Sequence, residues 1–225
     1  MNWEAILLTL KLAAVVAAIL GVLAVPLAWW IAFSRRRWKF LVEAVVALPL
    51  VLPPTVLGYY VLTLTAPRSP VGRIYAAVFG SMLPFTFEGL VLGSVLYSLP
   101  FAVQPLAASF AAVNPRLIKA SSVLGASGWR TFFRIVLPLS KSGFISGLVL
   151  SFAHTIGEFG VVLMVGGNIP GKTHTLSIDI YDKAQAMDLA GANTTALALL
   201  VFSFVVLAFI YGFNRHWAPL SKPRH

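Results

Sequence analysis

Residues 119–138 read KASSVLGASGWRTFFRIVLP. Chain oily enough for lipid lies on both sides of this stretch, so a basic segment punctuated by two glycines and a proline interrupts an apolar sequence. Just upstream, Asn114-Pro115 is a helix start, with asparagine as N-cap and proline at the first helical position, where its missing N–H costs nothing. A short helix is expected over 115–124, ended by Gly125. A second helix from Ser127 places Trp129, Phe132, Phe133 and Val136 at i, i+3, i+4 and i+7, one apolar stripe, with Arg130, Thr131 and Arg134 opposite. Pro138 turns the chain into the next apolar run. Two uses fit this pattern. One is a connector lying on the membrane surface with its arginines among headgroups. The other is a docking helix whose small-residue face, Leu117, Ala120, Ser121 and Leu124, seats in a protein groove.

Outward from this segment the chain is membrane protein. Of 225 residues, 59% are hydrophobic and 11% charged, against about 25% charged in a soluble domain. A spanning helix needs about 20 apolar residues, and five stretches qualify: 5–33, 40–64, 87–111, 142–166 and 193–213. The expected fold is an all-α integral membrane bundle of about five transmembrane helices, a single domain over 1–225, with the basic segment at 114–138. The first stretch reads as a retained span rather than a cleaved leader, because SRRRWK follows it instead of preceding it. The apolar part of the 65–86 loop, 74–83, is too short to span and reads as a surface or re-entrant helix. The last residues, APLSKPRH, read as a frayed tail.

The net charge of +10 sets orientation. With the N-terminus outside, Arg35, Arg36, Arg37, Lys39, Arg116, Lys119, Arg130, Arg134, Lys141, Arg215, Lys222 and Arg224 are cytoplasmic, and only Arg68, Arg73, Lys172 and Lys183 are outside. That asymmetry fits the positive-inside rule and places the C-terminus in the cytoplasm. It also accounts for the charge without nucleic acid. The chain has no cysteine, which excludes disulfides, iron–sulfur clusters and thiolate zinc sites.

Three motifs carry candidate chemistry. LPLVLPPTVLGYY (48–60) puts Pro49, Pro53 and Pro54 inside a span, where each costs about 3 kcal/mol in a helix interior. Broken backbone at membrane depth survives where it is buried in protein or lines a cavity, so this stretch is either a kinked packing helix or a pathway wall and hinge. Thr55, Tyr59 and Tyr60 are candidate polar lining of such a wall. FAHTIGEFGVV (152–162) sets His154 and Glu158 four residues apart, on one helical face. An ionisable residue in a span points at a partner or an aqueous path. A structural or gating role for Glu158 is expected, ahead of direct substrate contact. The two residues also suit a proton relay in an ion-coupled transporter, although the inverted repeats common in such folds are not visible. No metal site is expected, because no further histidine stands nearby. GGNIPGKT (166–173) satisfies the Walker A pattern as text. Its context, after a transmembrane helix rather than a buried strand, rejects it and leaves a flexible outer loop.

KASSVLGASGWRTFFRIVLP resembles the cytoplasmic signature of bacterial ABC-importer permeases, E-A-A-x3-G-x9-I-x-L-P. Ala120, Gly125, Ile135, Leu137 and Pro138 match in spacing, while Lys119 stands where the signature has Glu and Ser121 where it has its second Ala. LPLVLPPTVLGYYVL, GEFG and GNIPGKTHTLSIDIYD look like the permease subunits of the sulfate and molybdate group, leaning towards molybdate, with tungstate also within the group. The resemblance implies the ABC-importer permease fold, in the bacterial inner membrane. It implies a second copy of the chain, two ATP-binding subunits that hold ATP and Mg, and a periplasmic oxyanion-binding protein. No cofactor is implied in this chain, and hydrolysis falls to the partner. The segment containing Lys119, Ala120, Ser121, Leu124, Gly125 and Arg130 becomes the coupling helix and its exit.

Overall fold

The structure is a computed structural model that describes residues 2–217. Its elements are α1 (Trp3–Phe33), α2 (Lys39–Ala47) with a 3-10 turn (Leu48–Leu50), α3 (Pro54–Thr65), α4 (Pro70–Phe79), α5 (Phe87–Ala111), α6 (Pro115–Val123), α7 (Gly128–Thr131), a π turn (Phe132–Val136), α8 (Leu137–Leu139), α9 (Lys141–Gly157), α10 (Gly160–Gly166), α11 (Leu176–Gln185) and α12 (Leu189–Trp217). No strand occurs among the described residues.

Helix α1 starts where Asn2 Oδ1 accepts the N–H groups of Glu4 and Ala5 at 3.1 and 3.2 Å. Thirty-one residues at about 1.5 Å each make a rod longer than a bilayer core of about 30 Å. Its buried residues, Ala5, Thr9, Leu12, Val16, Leu20, Ala24, Ala28 and Ile31, recur every three or four positions. That stripe packs on α5 and α9, and the three helices form the centre of the molecule. Between spans the hydrophobic effect is weak, so close backbone approach has to hold helices together. Gly143 and Gly147 of α9 supply it against α5: a Cβ on Gly147 would stand 2.7 Å from the Ala102 carbonyl oxygen. Helix α12 is apolar along 189–212 but little buried, as suits a lipid-facing helix.

Three helices, α1, α5 and α12, are long and apolar enough to cross a membrane, and five spans result if each bent pair counts as one. The expected 5–33, 87–111 and 193–213 stretches are single helices. The other two are not. The 40–64 stretch bends by 108° between Leu50 and Pro54, where Pro53 and Pro54 end one helix and start the next. The 142–166 stretch breaks at Glu158-Phe159, between α9 and α10, and α9 itself meets the preceding 128–139 segment at 70°. The expected 74–83 element is α4, displaced a few residues. Ser69 caps it through a 2.9 Å bond from Gly72 N–H, and Gly80 ends it at φ +67°. Ten residues are too few to span. The APLSKPRH tail lies outside the described residues.

Charge separates the two ends. Trp29 and Phe33 at the close of α1, Phe110 at the close of α5 and Phe132 of the π turn form one aromatic cluster, with Trp29 and Phe132 centroids 5.0 Å apart. This cluster gathers Arg35–Arg37, Arg116 and Lys119, and Arg130–Lys141 at one end, called the basic end below. At the opposite end, Phe85 N–H bonds the Val165 carbonyl at 2.9 Å, and Leu176 N–H bonds Thr9 Oγ1 at 2.9 Å.

Candidate functional site

The 114–138 segment folds much as its local chemistry dictates. Asn114 Oδ1 accepts Arg116 N–H at 2.9 Å, and Pro115 opens α6. At the other end Ala126 N–H reaches Ser121 O and Gly125 N–H reaches Ser122 O, both at 3.0 Å. That crossed pair is a Schellman motif, and Gly125 takes the left-handed position at φ +77° that a side chain resists. Ser127 Oγ then caps α7 by accepting Arg130 N–H at 3.3 Å.

Two expectations here need correcting. The stripe Trp129, Phe132, Phe133 and Val136 does not stay together. Residues 132–136 form a π turn, whose wider repeat takes i and i+3 out of line. Phe132 and Val136 point inward, while Trp129 and Phe133 stack on each other outside, 6.0 Å apart. Nor is Thr131 on the polar side or Ser121 on the docking face. Both are buried, and their hydroxyls bond each other at 2.8 Å. Ser121 also donates to Ile118 O at 2.9 Å. The serine in place of the signature alanine is therefore half of a tie between α6 and α7. The exposed residues of α6 and its C-cap include Leu117, Lys119, Ala120, Val123 and Leu124, the last two 87% and 86% accessible. Ile135 and Leu137 are half-buried, and Arg130 and Pro138 are exposed.

The proline break and the GEFG break abut. Gly160, which opens α10, lies against Pro54, which opens α3: a Cβ on Gly160 would be 2.6 Å from Pro54 Cβ. One turn along, Gly58 of α3 faces Met164 and Val161, and its Cβ would be 2.7 Å from Met164 Cβ. These reciprocal glycines went unremarked in the sequence, although Gly157 and Gly160 flanking Glu158 are a visible break signal. Pro49 is buried in the 3-10 turn, which packs on α5, and Pro53, Thr55, Tyr59 and Tyr60 are exposed on the side of α3 away from α10. Thr55, Tyr59 and Thr63 follow one another at four-residue steps, a polar stripe.

His154 and Glu158 do not share a helical face as expected, because the helix stops at Gly157 and Glu158 is extended, at φ −70° and ψ 134°. His154 stacks on Phe101 at 4.0 Å, and its Nδ1 lies 3.0 Å from Ser98 Oγ. Glu158 is 4% accessible, and its carboxyl faces the buried Ser94 hydroxyl, although neither group has a hydrogen bond of good geometry among the described residues. The structure thus brings together the two breaks and Glu158, and leaves the 114–138 segment at the far basic end.

The glycine-rich loop is tied down rather than loose. Asn168 Nδ2 donates to Asp182 Oδ2 at 2.9 Å, and Asn168 Oδ1 meets His174 Nδ1 at 2.6 Å. Lys183 bonds Asp179 at 2.6 Å and Thr195 at 3.1 Å. Thr173 Oγ1 donates to Gly166 O and accepts from Ile169 N–H, both at 2.8 Å. A helix precedes this loop, and the next one starts only at Leu176, so it is no phosphate cradle.

The family described as binding-protein-dependent transport system inner membrane component matches residues 24–219. The chain is 51% identical over 217 residues to the molybdenum transport system permease protein ModB of Azotobacter vinelandii, covering 96% of each. It is 36% identical to the ModB of Haemophilus influenzae, over 89% of this chain and 85% of that one. At 30%, over 92% of this chain and 73% of the relative, it matches a "Probable sulfate transport system permease protein cysT" of Chlorokybus atmophyticus. Among solved structures it is similar to a bacterial ABC transporter involved in import of the acidic polysaccharide alginate, with TM-score 0.73 at 18% identity, covering 99% of this chain and 82% of that one. It is also similar to the MetNI methionine ABC transporter, with TM-score 0.72 at 15% identity, covering 96% and 99%.

Proposed function

This chain belongs to the family of binding-protein-dependent transport system inner membrane components, and from that premise we propose that it is the membrane-spanning subunit of an ATP-driven importer that carries molybdate into the cell. The observation that carries this reading is the exposed α6 at the basic end, capped at both ends and tied to α7, in a chain 51% identical to a molybdenum permease. The basic end faces the cytoplasm, by the charge asymmetry. A second copy completes the pathway, and two ATP-binding subunits receive the two α6 helices. ATP and Mg reside on those subunits, which supply the free energy. A periplasmic protein delivers the anion.

The contacts give the stroke a physical route. Displacement of α6 passes through the Ser121–Thr131 bond into α7 and the π turn, then across the bend at Ser140 into α9. From the far end of α9 it crosses the Glu158 break into α10, which presses on Pro54 and moves α3. Coupling of this kind needs elements that take two discrete arrangements, and the breaks at 51–53 and 158–159 supply the joints. The anion path lies along the Thr55, Tyr59 and Thr63 stripe, towards the second copy. The neutral hydroxyls of Thr55 and Tyr59 suit an oxyanion there, whereas the Thr63 hydroxyl donates back to the Tyr59 carbonyl at 3.0 Å. Glu158 sits behind α3 as part of the joint rather than on the path.

The test is uptake into vesicles holding this chain, its ATP-binding subunit and the binding protein. Molybdate should accumulate only with ATP, and excess sulfate should not displace it. Preferred uptake of sulfate would reassign the substrate. Accumulation driven by a pH gradient with no ATP-binding subunit would overturn the reading in favour of an ion-coupled transporter.

A further inference from the structure

A groove of about 1080 Å³ runs along the basic end, between α1, the 128–138 segment and the start of α9. Val22, Trp29 and Trp30 form one wall, Trp129 and Phe133 the other, and Lys141 stands at the mouth. The lining is almost wholly apolar, yet Trp129 and Val22 are 76% and 72% accessible, so the chain leaves a large apolar surface uncovered. Along α1 it extends from Gly21 to Trp30, nine steps of about 1.5 Å, or roughly 14 Å. That is close to half of a hydrocarbon core of about 30 Å, the depth of one leaflet, opening at the level where the basic residues lie.

The charge at that mouth is one-sided. Lys141 is exposed and pairs with no carboxylate of a described residue. Trp30 lies 5.0 Å from Trp38, and the Arg36 guanidinium lies 5.5 Å from the Trp38 ring, one aromatic step beyond the groove's lining. Glu43, the one acid of this end, is occupied by Lys39 at 3.4 Å. Basic pockets between transmembrane helices on the cytoplasmic side hold anionic headgroups, and tryptophan marks the interface.

We propose that this groove is a binding site for one anionic phospholipid, its acyl chains against Val22, Trp29 and Trp129 and its phosphate against Lys141. The site adjoins the exit of the coupling segment, and Leu137 and Pro138 line it, so a bound lipid braces the joint between α8 and α9. The proposed function contributes only the name of the leaflet; the binding measurement needs neither ATP nor molybdate, so either reading can fail without the other.

The probes are phosphatidylglycerol and phosphatidylcholine with brominated acyl chains, titrated into the intact transporter in neutral detergent while tryptophan fluorescence is read. Brominated phosphatidylglycerol should half-quench at a concentration at least tenfold below that of the choline lipid. Lys141→Glu should erase the preference, Lys141→Gln should reduce it, and Arg68→Glu at the opposite end should leave it unchanged. Replacing Trp129 with Phe should reduce the amplitude of the tightest component of the quenching without shifting its midpoint, because Trp29 and Trp30 also line the groove. Equal quenching by both lipids would overturn the proposal, since it reports only general contact with detergent and lipid. A preference that survives both Lys141 variants would overturn it too. So would the absence of quenching by either lipid, which would mean that another subunit covers the groove.

Discussion

Replacing Gly160 with Ala drives a methyl group into Pro54. The new Cβ would sit 2.6 Å from Pro54 Cβ and 3.4 Å from Thr55 N. Neither neighbour is the loose end of a long side chain: one is a ring carbon, the other backbone. Relief to ordinary contact near 3.4 Å therefore requires α3 and α10 to part by about 0.8 Å, a displacement of whole helices. Overpacking of this kind costs about 1–3 kcal/mol, and at 2–4 °C per kcal/mol for a chain of this size the melting temperature should fall by roughly 5 °C. Gly58→Ala meets Met164 Cβ at 2.7 Å and Val161 Cα at 3.1 Å across the same interface, and its cost should be similar. One separation relieves both clashes, so the double variant should lose about 1–2 kcal/mol less than the sum, the coupling expected of residues that share a backbone shift. The assay is thermal unfolding of the purified transporter in detergent, with molybdate uptake in parallel. Gly157→Ala is the control, since nothing stands within 4 Å of its Cβ. Additive losses in the double variant, or a Gly160→Ala protein that melts with wild type, would refute the idea that the two breaks are pressed together.

Three further outcomes follow from the 114–138 segment and the break at Glu158. Gly125 has open space around its Cβ, so Gly125→Asn, which tolerates the left-handed backbone, should leave the isolated chain as stable as wild type, while Gly125→Asp should abolish uptake with the chain still in the membrane; a normally transporting aspartate variant would show that α6 does not seat in a partner. Ser121→Ala strands the buried Thr131 hydroxyl and should cost about 1–3 kcal/mol, read as a lowered melting temperature, whereas adding Thr131→Val should recover much of it; an equal or larger loss in the double variant would remove the tie between α6 and α7. Glu158→Gln keeps the shape of the joint, so uptake should slow without a change in the ratio of molybdate to sulfate competition, and a switch in that ratio would place Glu158 on the path.

Local chemistry made much of this molecule legible. Long apolar runs gave α1, α5 and α12, and caps gave both ends of α6, because Asn114-Pro115 and Gly125 act through their own backbone. What stayed hidden depends on contacts distant in sequence. The Ser121–Thr131 bond exists only once α6 folds back on α7. The split of the aromatic stripe needs the π turn, which no spacing announces: the same four residues make one stripe in an α-helix and two in what forms. The hydropathy of 40–64 and 142–166 marks them as apolar but says nothing of a 108° bend or of an extended Glu158. The resemblance to ABC-importer permeases, drawn from the coupling signature and the oxyanion motifs, agrees with the family match over 24–219.

Because Pro54 rests on Gly160 and Gly58 on Met164, α3 and α10 form a single lever assembled from segments about a hundred residues apart in the chain. A lever has one angle. Spectroscopic labels at Thr63 and Leu163 should therefore keep a constant mutual distance through the transport cycle while both shift against a label on α1, and one distance to that fixed frame is enough to follow the stroke.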